Sequence, residues 1–240
     1  MINAARELVR RSQSIVSFSG AGLSAESGVP TFRDRSEPNS LWAKFDPMAL
    51  ASPQGFAADP KMVIEWYAWR RTRLATLQPN AAHRALASRR DMLHITQNVD
   101  DLLERAGTDA KSIVHLHGTI TEDRCHGSCG HVEAIDLTNP PLCRTCRVCA
   151  APMRPNVVWF GEMLPRGAWD RAERACEECD LLLVIGTSAE VHPAAGLIGL
   201  AKSRGAKIVV VNPDASGASH LADIELSGKA GEVLPRILPT

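Results

Sequence analysis

Short apolar runs alternate with longer segments of helical periodicity along most of the chain. Most runs are continuous in Val, Ile and Leu, which is typical of strands buried on both faces of a parallel sheet. The sequence therefore predicts an α/β fold with a doubly wound, Rossmann-like parallel sheet. The predicted strands are residues 15–18, 93–96, 112–117, 156–160, 180–185 and 206–211. The predicted helices lie within residues 41–77, 81–88, 99–105, 168–178, 194–204 and 233–237.

The composition changes between residues 119 and 155, which are rich in Cys, Pro, Thr and Gly. Such a stretch cannot build a core by itself and is typical of an insertion stapled by a metal ion. We expect a small helical and zinc-binding domain formed by two insertions, residues 36–77 and 120–155. The larger Rossmann-like domain would then comprise residues 1–35, 78–119 and 156–240.

The charge balance limits the classes of partner. The 240-residue chain has 27 basic and 27 acidic residues, so its formal net charge is zero. This balance gives no electrostatic reason to expect nucleic acid or an anionic membrane as the main partner. No apolar run reaches the roughly 18 residues of a membrane span, and the first run is too short for a signal-peptide core. We expect a cytoplasmic protein, and the sequence leaves its oligomeric state open.

A glycine-rich turn follows the first predicted strand. Glycines at such a turn let backbone amides approach a pyrophosphate, whose charge the next helix N-terminus favours. The spacing is not the common GxGxxG, so a tight turn without a ligand is an equally good interpretation of the glycines alone. The candidate cofactor contacts here are Gly20, Ala21, Gly22, Ser24, Glu26 and Arg33.

Polar turns also follow three other predicted strands. Ligands of open α/β sheets bind at the carboxyl ends of the strands, where a dinucleotide crossing the sheet would meet all three turns. Taken singly, each turn could equally be a helix cap or an ordinary turn. The candidate residues are Gln97, Asn98 and Asp100 in the first turn, Gly186, Thr187 and Ser188 in the second, and Asn212, Pro213 and Asp214 in the third.

Two histidines, His115 and His117, lie two residues apart on one face of a predicted strand. A neutral imidazole is a suitable general base, although a single histidine is more often structural. His117 is nearer the strand end and precedes a glycine, so it is the better candidate for a catalytic base.

Five cysteines are concentrated between Cys125 and Cys149. Cys125 and Cys129 form one pair, and Cys146 and Cys149 form a second, which together can hold one tetrahedral, structural Zn²⁺. Cys143 with Cys146 is also an acceptable pair, so the register of the second pair stays open. A further pair at positions 176 and 179 is interpreted as packing residues.

Together these motifs resemble the sirtuin family over nearly the whole chain. The matching segments are GAGxSxxSGxPxFR from Gly20, TQNVD from Thr96, HLHG ending at Gly118, RPNVVWFGE from Arg154, GTS at Gly186 and GKA ending at Ala230. The resemblance implies an NAD-dependent protein-lysine deacylase that binds NAD in its larger domain. It also implies nicotinamide, free lysine and O-acyl-ADP-ribose as products, with acyl-lysine proteins as partners.

The resemblance also implies residue roles. His117 matches the base that deprotonates a ribose hydroxyl, while Asn98 and Asp100 match the nicotinamide pocket. Ala230 joins the cofactor contacts. The segment that pairs with the substrate backbone by strand addition supplies four candidate substrate contacts: Val158, Phe160, Gly161 and Glu162.

A finer resemblance concerns Tyr67 and Arg70, which match the Tyr-x-x-Arg of class III sirtuins. Those enzymes prefer acyl groups that carry a carboxylate, so desuccinylase and demalonylase activity is expected beside deacetylation. At i,i+3 the two side chains share one helix face. Without the family, a plain amphipathic helix with outward basic residues would be the simpler interpretation.

Three other functions are alternative interpretations of the same residues. A mono-ADP-ribosyltransferase using the same NAD site is the main alternative. An NAD-dependent dehydrogenase would require a standard glycine motif followed by an acidic residue, and neither is clear here. A zinc-ribbon interaction module without enzymatic activity leaves the polar turns at the strand ends unexplained.

Overall fold

A computed structural model describes residues 1–30 and 46–238 of the chain. Among these residues, six parallel strands form the larger sheet. Helices pack on both of its faces, so the predicted doubly wound α/β fold is confirmed. The strands are β1 (Ile15–Ser19), β2 (Leu93–Thr96), β3 (Ile113–His115), β7 (Leu181–Ile185), β8 (Lys207–Asn212) and β9 (Ile224–Ser227). They lie in the order β3-β2-β1-β7-β8-β9 across the sheet.

Alternate residues of the central strands pack into two separate cores. In β7, Leu181 and Leu183 face the first core, whereas Leu182 and Val184 face the second. Both faces of the strand are therefore buried, which explains its continuous apolar sequence. The described helices are α1 (Ile2–Arg11), α2 (Gly22–Ala25), α3 (Pro47–Leu50), α4 (Pro53–Ala58), α5 (Pro60–Thr76), α6 (Ala81–Ala87), α7 (Leu102–Arg105), α8 (Arg166–Glu178), α9 (Gly196–Ser203) and α10 (Ala230–Ile237).

The first core contains buried side chains of α1, α6, α7 and α10, and the second contains those of α8 and α9. These two helical layers leave the carboxyl ends of the parallel strands free for loops. None of the helices in the described residues is long and apolar enough to cross a membrane.

A second, antiparallel sheet lies outside the parallel one. Its strands are β4 (Gly118–Cys125), β5 (Val132–Ala134) and β6 (Met153–Val157), in the order β5-β4-β6. A third apolar cluster joins this sheet to α3, α4 and α5 and includes the buried Trp159.

One predicted strand is wrong in its bounds and its sheet. Residues 156–160 were expected to form a strand of the parallel sheet, but β6 ends at Val157 and pairs antiparallel with β4. The apolar pattern misses the first part of β6, because this part contains Arg154. Arg154 is fully buried and forms an ion pair with Glu162. A search for apolar residues does not identify a buried, paired arginine as part of a strand.

Candidate active site

A cavity of about 520 Å³ separates the ends of the parallel strands from the second sheet and α5. Its lining includes Ala21, Gln97, Asn98, Asp100, His117 and Ser188 on the side of the parallel sheet. The facing side supplies Tyr67, Arg70, Val158, Phe160, Gly161 and Glu162. Candidate cofactor and substrate residues thus meet in one cavity.

The glycine turn packs directly against the loop that follows β7. Gly22 N donates to Gly186 O at 2.8 Å, and a Cβ added at Gly22 would lie 2.6 Å from Gly186 Cα. Gly186 has a φ of +57°, which disfavours a side chain there. Gly20 is similarly close, since an added Cβ would lie 2.8 Å from Thr187 Cβ. The glycines therefore allow two strand-end loops to touch.

A buried polar network lies beneath this turn. Ser24 Oγ donates to Asp100 Oδ2 at 2.9 Å, and Asn98 Nδ2 donates to Ser24 Oγ at 3.1 Å. Burial raises the pKa of Asp100, although the Ser24 hydroxyl partly opposes that shift. The three predicted cofactor residues therefore form one connected unit at the cavity wall.

His83 joins the same network, although it is not among the site residues predicted from the sequence. Its Nε2 lies 3.4 Å from Ser24 Oγ, while its Nδ1 accepts a hydrogen bond from Asn80 N. Burial lowers the pKa of His83 to about 4, so the ring is neutral at pH 7. The available sequence signal was its position three residues after Asn80, where the two residues form a capping box at the start of α6.

His117 and His115 have different surroundings. His117 Nδ1 lies 2.9 Å from Gln97 O. Because a carbonyl oxygen can only accept, Nδ1 carries the hydrogen, and Nε2 keeps its lone pair. In the described part of the chain Nε2 has no hydrogen-bond partner, and His117 lines the cavity. Burial lowers the pKa of His117, which favours the neutral ring.

His115 has a partner at each ring nitrogen. Its Nε2 lies 2.8 Å from Glu104 Oε1, and its Nδ1 lies 3.0 Å from Asn98 O. Burial alone would lower the pKa of His115, but Glu104 and the Asn98 carbonyl outweigh it and raise the pKa. These contacts suit a residue that supports the Asn98 loop.

The remaining strand-end residues bond to one another. Gln97 Nε2 donates to Thr187 Oγ1 at 3.1 Å, which links the loops after β2 and β7. At the end of β8, Asn212 Nδ2 donates to the backbone oxygen of Asp214, and Pro213 O accepts from the hydroxyl of Ser227 at the end of β9. The polar turns therefore converge at one edge of the sheet, as predicted from their positions.

Glu26 and Ala230 meet at the start of α10. Glu26 Oε2 accepts a 2.6 Å hydrogen bond from Gly231 N, directly after Ala230. A carboxylate at a helix N-terminus satisfies a free amide and is favoured by the helix dipole. In this structure Glu26 thus has a capping role. Arg33, the other predicted contact of this segment, lies outside the described residues.

The segment from Val158 to Glu162 is anchored at both ends. Val158 N donates to His117 O, and Phe160 N donates to Ala51 O, each at 2.8 Å. Glu162 accepts from Trp159 N and pairs with Arg124 and with the buried Arg154. The Glu162 carboxylate therefore holds the loop in shape, while the side chain of Phe160 is 44% exposed at the cavity.

Tyr67 and Arg70 lie side by side on α5. The Arg70 guanidinium carbon lies 5.5 Å from the Tyr67 ring centroid and 4.7 Å from that of Trp66. No carboxylate of the described residues forms an ion pair with Arg70, whereas the neighbouring Arg71 is paired with Asp123. A half-buried, unpaired guanidinium in a cavity wall is suited to an anionic ligand.

Four of the cysteines form a compact cluster. The sulfur atoms of Cys125, Cys129, Cys146 and Cys149 all lie within 4.8 Å of one another. Two of their separations are 3.4 and 3.6 Å, close to the about 3.8 Å that a Zn–S tetrahedron requires. The exposed Cys143 is not part of the cluster.

The cluster suits one structural zinc ion. Backbone amides of Gly127 and Val148 donate to the sulfurs of Cys125 and Cys146, which stabilises thiolates. Four thiolates fill the tetrahedral shell, so no position is left for a reacting water. The geometry favours the register that pairs Cys146 with Cys149.

Comparison with known proteins identifies relatives over the full length. The family model described as the Sir2 family matches residues 20–193. The NAD-dependent protein deacylase 1 of Pseudomonas aeruginosa is 46% identical over 249 residues, covering 99% of this chain and 98% of that protein. A crystal structure of a Sir2 homologue–NAD complex has a TM-score of 0.90 and 43% identity, covering 98% of this chain and 92% of that one.

A solved structure of lower identity contains a bound peptide. It is a Sir2 protein bound to a myristoylated histone peptide, with a TM-score of 0.76 and 32% identity, covering 99% of this chain and 94% of that one. The family match covers more than half of the chain, and the sequence motifs, the parallel sheet and the four-cysteine cluster agree with it. The chain belongs to the Sir2 family.

Proposed function

We propose that this protein uses NAD to remove acyl groups from the lysine side chains of other proteins. The observation that carries the proposal is the position of His117, whose free Nε2 faces a cavity shared by the strand-end turns and the Tyr67–Arg70 pair. The P. aeruginosa relative is named an NAD-dependent protein deacylase, which agrees with this function. The main alternative, mono-ADP-ribosyl transfer, would leave the acyl side of the cavity without a role.

The NAD site would extend along the edge of the parallel sheet. In the turn at Gly20–Gly22 the amides of Gly20 and Gly22 already donate to Ile185 O and Gly186 O, so the amide of Ala21 is the one proposed to meet the pyrophosphate. The Asn212–Asp214 turn lies farther along the same edge. The network of Ser24, Asn98 and Asp100 supplies polar groups for the nicotinamide carboxamide. When bound, NAD supplies a ribose carbon that releases nicotinamide and receives the acyl oxygen.

His117 is the proposed general base. Gln97 O fixes the hydrogen on Nδ1, so the lone pair of Nε2 faces the cavity and can accept a proton from a ribose hydroxyl. Burial lowers the pKa of His117, which keeps this nitrogen unprotonated at neutral pH. General-base catalysis typically contributes about 10²–10⁴-fold to the rate.

The acyl-lysine peptide would bind beside residues 158–162 by strand addition. Val158 N is already bonded to His117 O, which ties the peptide-binding segment to the catalytic residue. The exposed Phe160 and Gly161, which has a φ of +86° and no atom near an added Cβ, would border the peptide. We also propose the division into an NAD-binding domain, residues 1–35, 78–119 and 156–240, and a small domain, residues 36–77 and 120–155.

The acyl pocket would prefer a group that ends in a carboxylate. Arg70 can offer a charged fork to that anion, and Tyr67 can add one donor. A hydrogen bond to a charged group contributes about 1.5–3 kcal/mol, or roughly 10- to 150-fold in kcat/KM. An acetyl group has no distal carboxylate for either contact, so desuccinylation and demalonylation should depend on this pair and deacetylation should not.

Arg70→Met tests this selectivity on matched acetyl- and succinyl-lysine peptides. Desuccinylation should fall by about 10- to 150-fold, while deacetylation should persist or increase because an unpaired cation has been removed. An equal fall in both reactions would mean that Arg70 only supports α5.

Paired histidine variants test the catalytic assignment. His117→Ala should lose both acyl activities by about 10²–10⁴-fold while NAD still binds, because the turn residues remain in place. His115→Ala is the matched control and should keep measurable turnover. Near-normal turnover by His117→Ala would refute the assignment.

A further inference from the structure

Tyr67 forms one buried hydrogen bond that the proposed mechanism does not use. Trp159 Nε1 lies 3.0 Å from the Tyr67 hydroxyl oxygen. Both residues are only 2% exposed, and both line the cavity. The contact joins α5 to the peptide-binding segment across 92 positions of sequence.

The chemistry of the two groups fixes the direction of this bond. An indole nitrogen can only donate, so Trp159 donates and the Tyr67 oxygen accepts. The hydroxyl hydrogen of Tyr67 therefore cannot point at Trp159. Within residues 1–30 and 46–238 that hydroxyl makes no other hydrogen bond, so its hydrogen is available to a ligand in the cavity. Burial also raises the pKa of Tyr67, which keeps the hydrogen in place.

Trp159 is held rigidly enough to impose this direction. The Arg154 guanidinium carbon lies 3.8 Å from the centroid of its ring, and Phe56 packs at 5.2 Å. Its backbone nitrogen donates to Glu162 Oε2 at 2.9 Å. Arg154 is itself fully buried and paired with Glu162, so the indole has little freedom to turn.

We infer that Trp159 is a positioning residue that sets the acyl preference by presenting the Tyr67 hydroxyl as a donor to the distal carboxylate of the substrate. The Arg70 guanidinium carbon lies 5.5 Å from the centroid of the Tyr67 ring, so the donor and the cation would bind the same carboxylate. The inference rests on the proposed carboxylate selectivity of the pocket and adds the residue that orients it.

An acetyl group has no distal carboxylate for the Tyr67 hydroxyl, so loss of the indole N–H should weaken the reaction of acidic acyl groups selectively. The net contribution of one hydrogen bond is about 0.5–1.5 kcal/mol, which corresponds to roughly 2- to 13-fold in a rate constant. An effect of this size that falls on one acyl group only is not expected of general damage to the fold.

The test is a double-mutant cycle with Trp159→Phe and Tyr67→Phe. Trp159→Phe should lower the ratio of kcat/KM for succinyl-lysine peptide to kcat/KM for acetyl-lysine peptide by about 3- to 10-fold. In the Tyr67→Phe background the same change should not lower this ratio further. Trp169→Phe, the same substitution on α8 away from the cavity, is the control and should change neither activity.

A second variant removes the same N–H group and keeps the test valid if Trp159→Phe misfolds. Benzothienylalanine at position 159, introduced by nonsense suppression, replaces the N–H with sulfur and keeps the shape of the ring. It should reproduce the selective loss of desuccinylation.

Equal losses on both peptides, or additive effects in the cycle, would overturn the inference. If the wild type prefers succinyl-lysine and Arg70→Met removes that preference, but neither Trp159 variant alters it, only this inference fails. If the wild type shows no dependence of desuccinylation on Arg70, the proposed selectivity fails first.

Discussion

Arg71→Met should destabilise the protein strongly, because Arg71 joins α5 to the second sheet. The side chain is 1% exposed and donates to Ile120 O at 2.8 Å, to Glu122 O at 2.9 Å and to Asp123 Oδ1 at 2.7 Å. Methionine fills a similar volume but leaves two carbonyls and a buried carboxylate oxygen without that donor.

The magnitude follows from the surroundings of Asp123. Removing one partner of a buried ion pair typically costs about 3–5 kcal/mol. Asp123 keeps its second partner, Arg144, at 2.8 Å, so we expect the lower end, about 3 kcal/mol. For a chain of this length, each kcal/mol lowers Tm by about 2–4 °C, which gives roughly 6–12 °C.

Thermal unfolding followed by circular dichroism measures this shift, and zinc analysis of the same sample separates it from loss of the metal. Arg166→Met is the matched control, because the Arg166 side chain is 94% exposed and its pair with Asp170 should contribute almost nothing. If Arg71→Met keeps its zinc and its Tm lies within about 2 °C of wild type, the buried pair does not anchor α5. A loss of only 1 kcal/mol would already lower Tm by about 2–4 °C.

Three further predictions concern the zinc cluster and two histidines. Cys146→Ser should lose zinc and Cys143→Ser should keep it, as measured by metal analysis; zinc loss from Cys143→Ser alone would contradict the cluster. Burial lowers the pKa of His117, so kcat/KM should stay high as pH falls through 6.5 and should decrease only at lower pH. A decrease in kcat/KM centred above pH 6.5 would contradict the role of neutral His117 as the base. Burial also lowers the pKa of His94 to about 4, below its ordinary value of 6.5, so the unfolded chain binds more protons between these values. The stability that depends on neutral His94 is complete above pH 6.5 and decreases as pH falls toward 4. In denaturant titrations, His94→Gln should therefore reduce the dependence of the unfolding free energy on pH between these values. An unchanged pH dependence would refute the lowered pKa of His94.

The parallel sheet was predictable where strands are buried on both faces. β7 and β8 are continuous apolar runs, and the structure has them within a residue or two of the predicted bounds. The edge strand β9 was missed, because Leu226 is its only fully buried residue and its pattern does not stand out. The predicted helix at residues 99–105 is shorter, since α7 begins at Leu102 after the buried network around Asp100.

The part of the site that the sheet topology determines was predictable from the sequence. Polar turns at the ends of parallel strands must meet at one edge, and Gln97 and Thr187 do so. His83 was missed because its contact with Ser24 spans 59 positions of sequence, and no local pattern records that pairing. Trp159 and Tyr67 were missed as a pair for the same reason.

Two predicted ligand contacts turned out to have internal partners. The Glu26 carboxylate caps α10, and Glu162 pairs with Arg154 and Arg124. Sequence motifs identify such residues as characteristic of the family, but they do not separate a ligand contact from a side chain that shapes the loop. Cys143 illustrates the opposite case, because spacing left it open as a zinc ligand and only three-dimensional proximity distinguishes it from Cys149.

The central claim is that acyl removal from lysine consumes NAD, and the identity of the products tests it most directly. The full-length protein would be incubated with NAD and a succinyl-lysine peptide, and the product masses measured beside an unmodified lysine peptide as control. We predict equimolar nicotinamide, free-lysine peptide and O-succinyl-ADP-ribose, with no nicotinamide release above background from the control. ADP-ribose attached to the peptide, or NADH formed without nicotinamide, would contradict the proposed function.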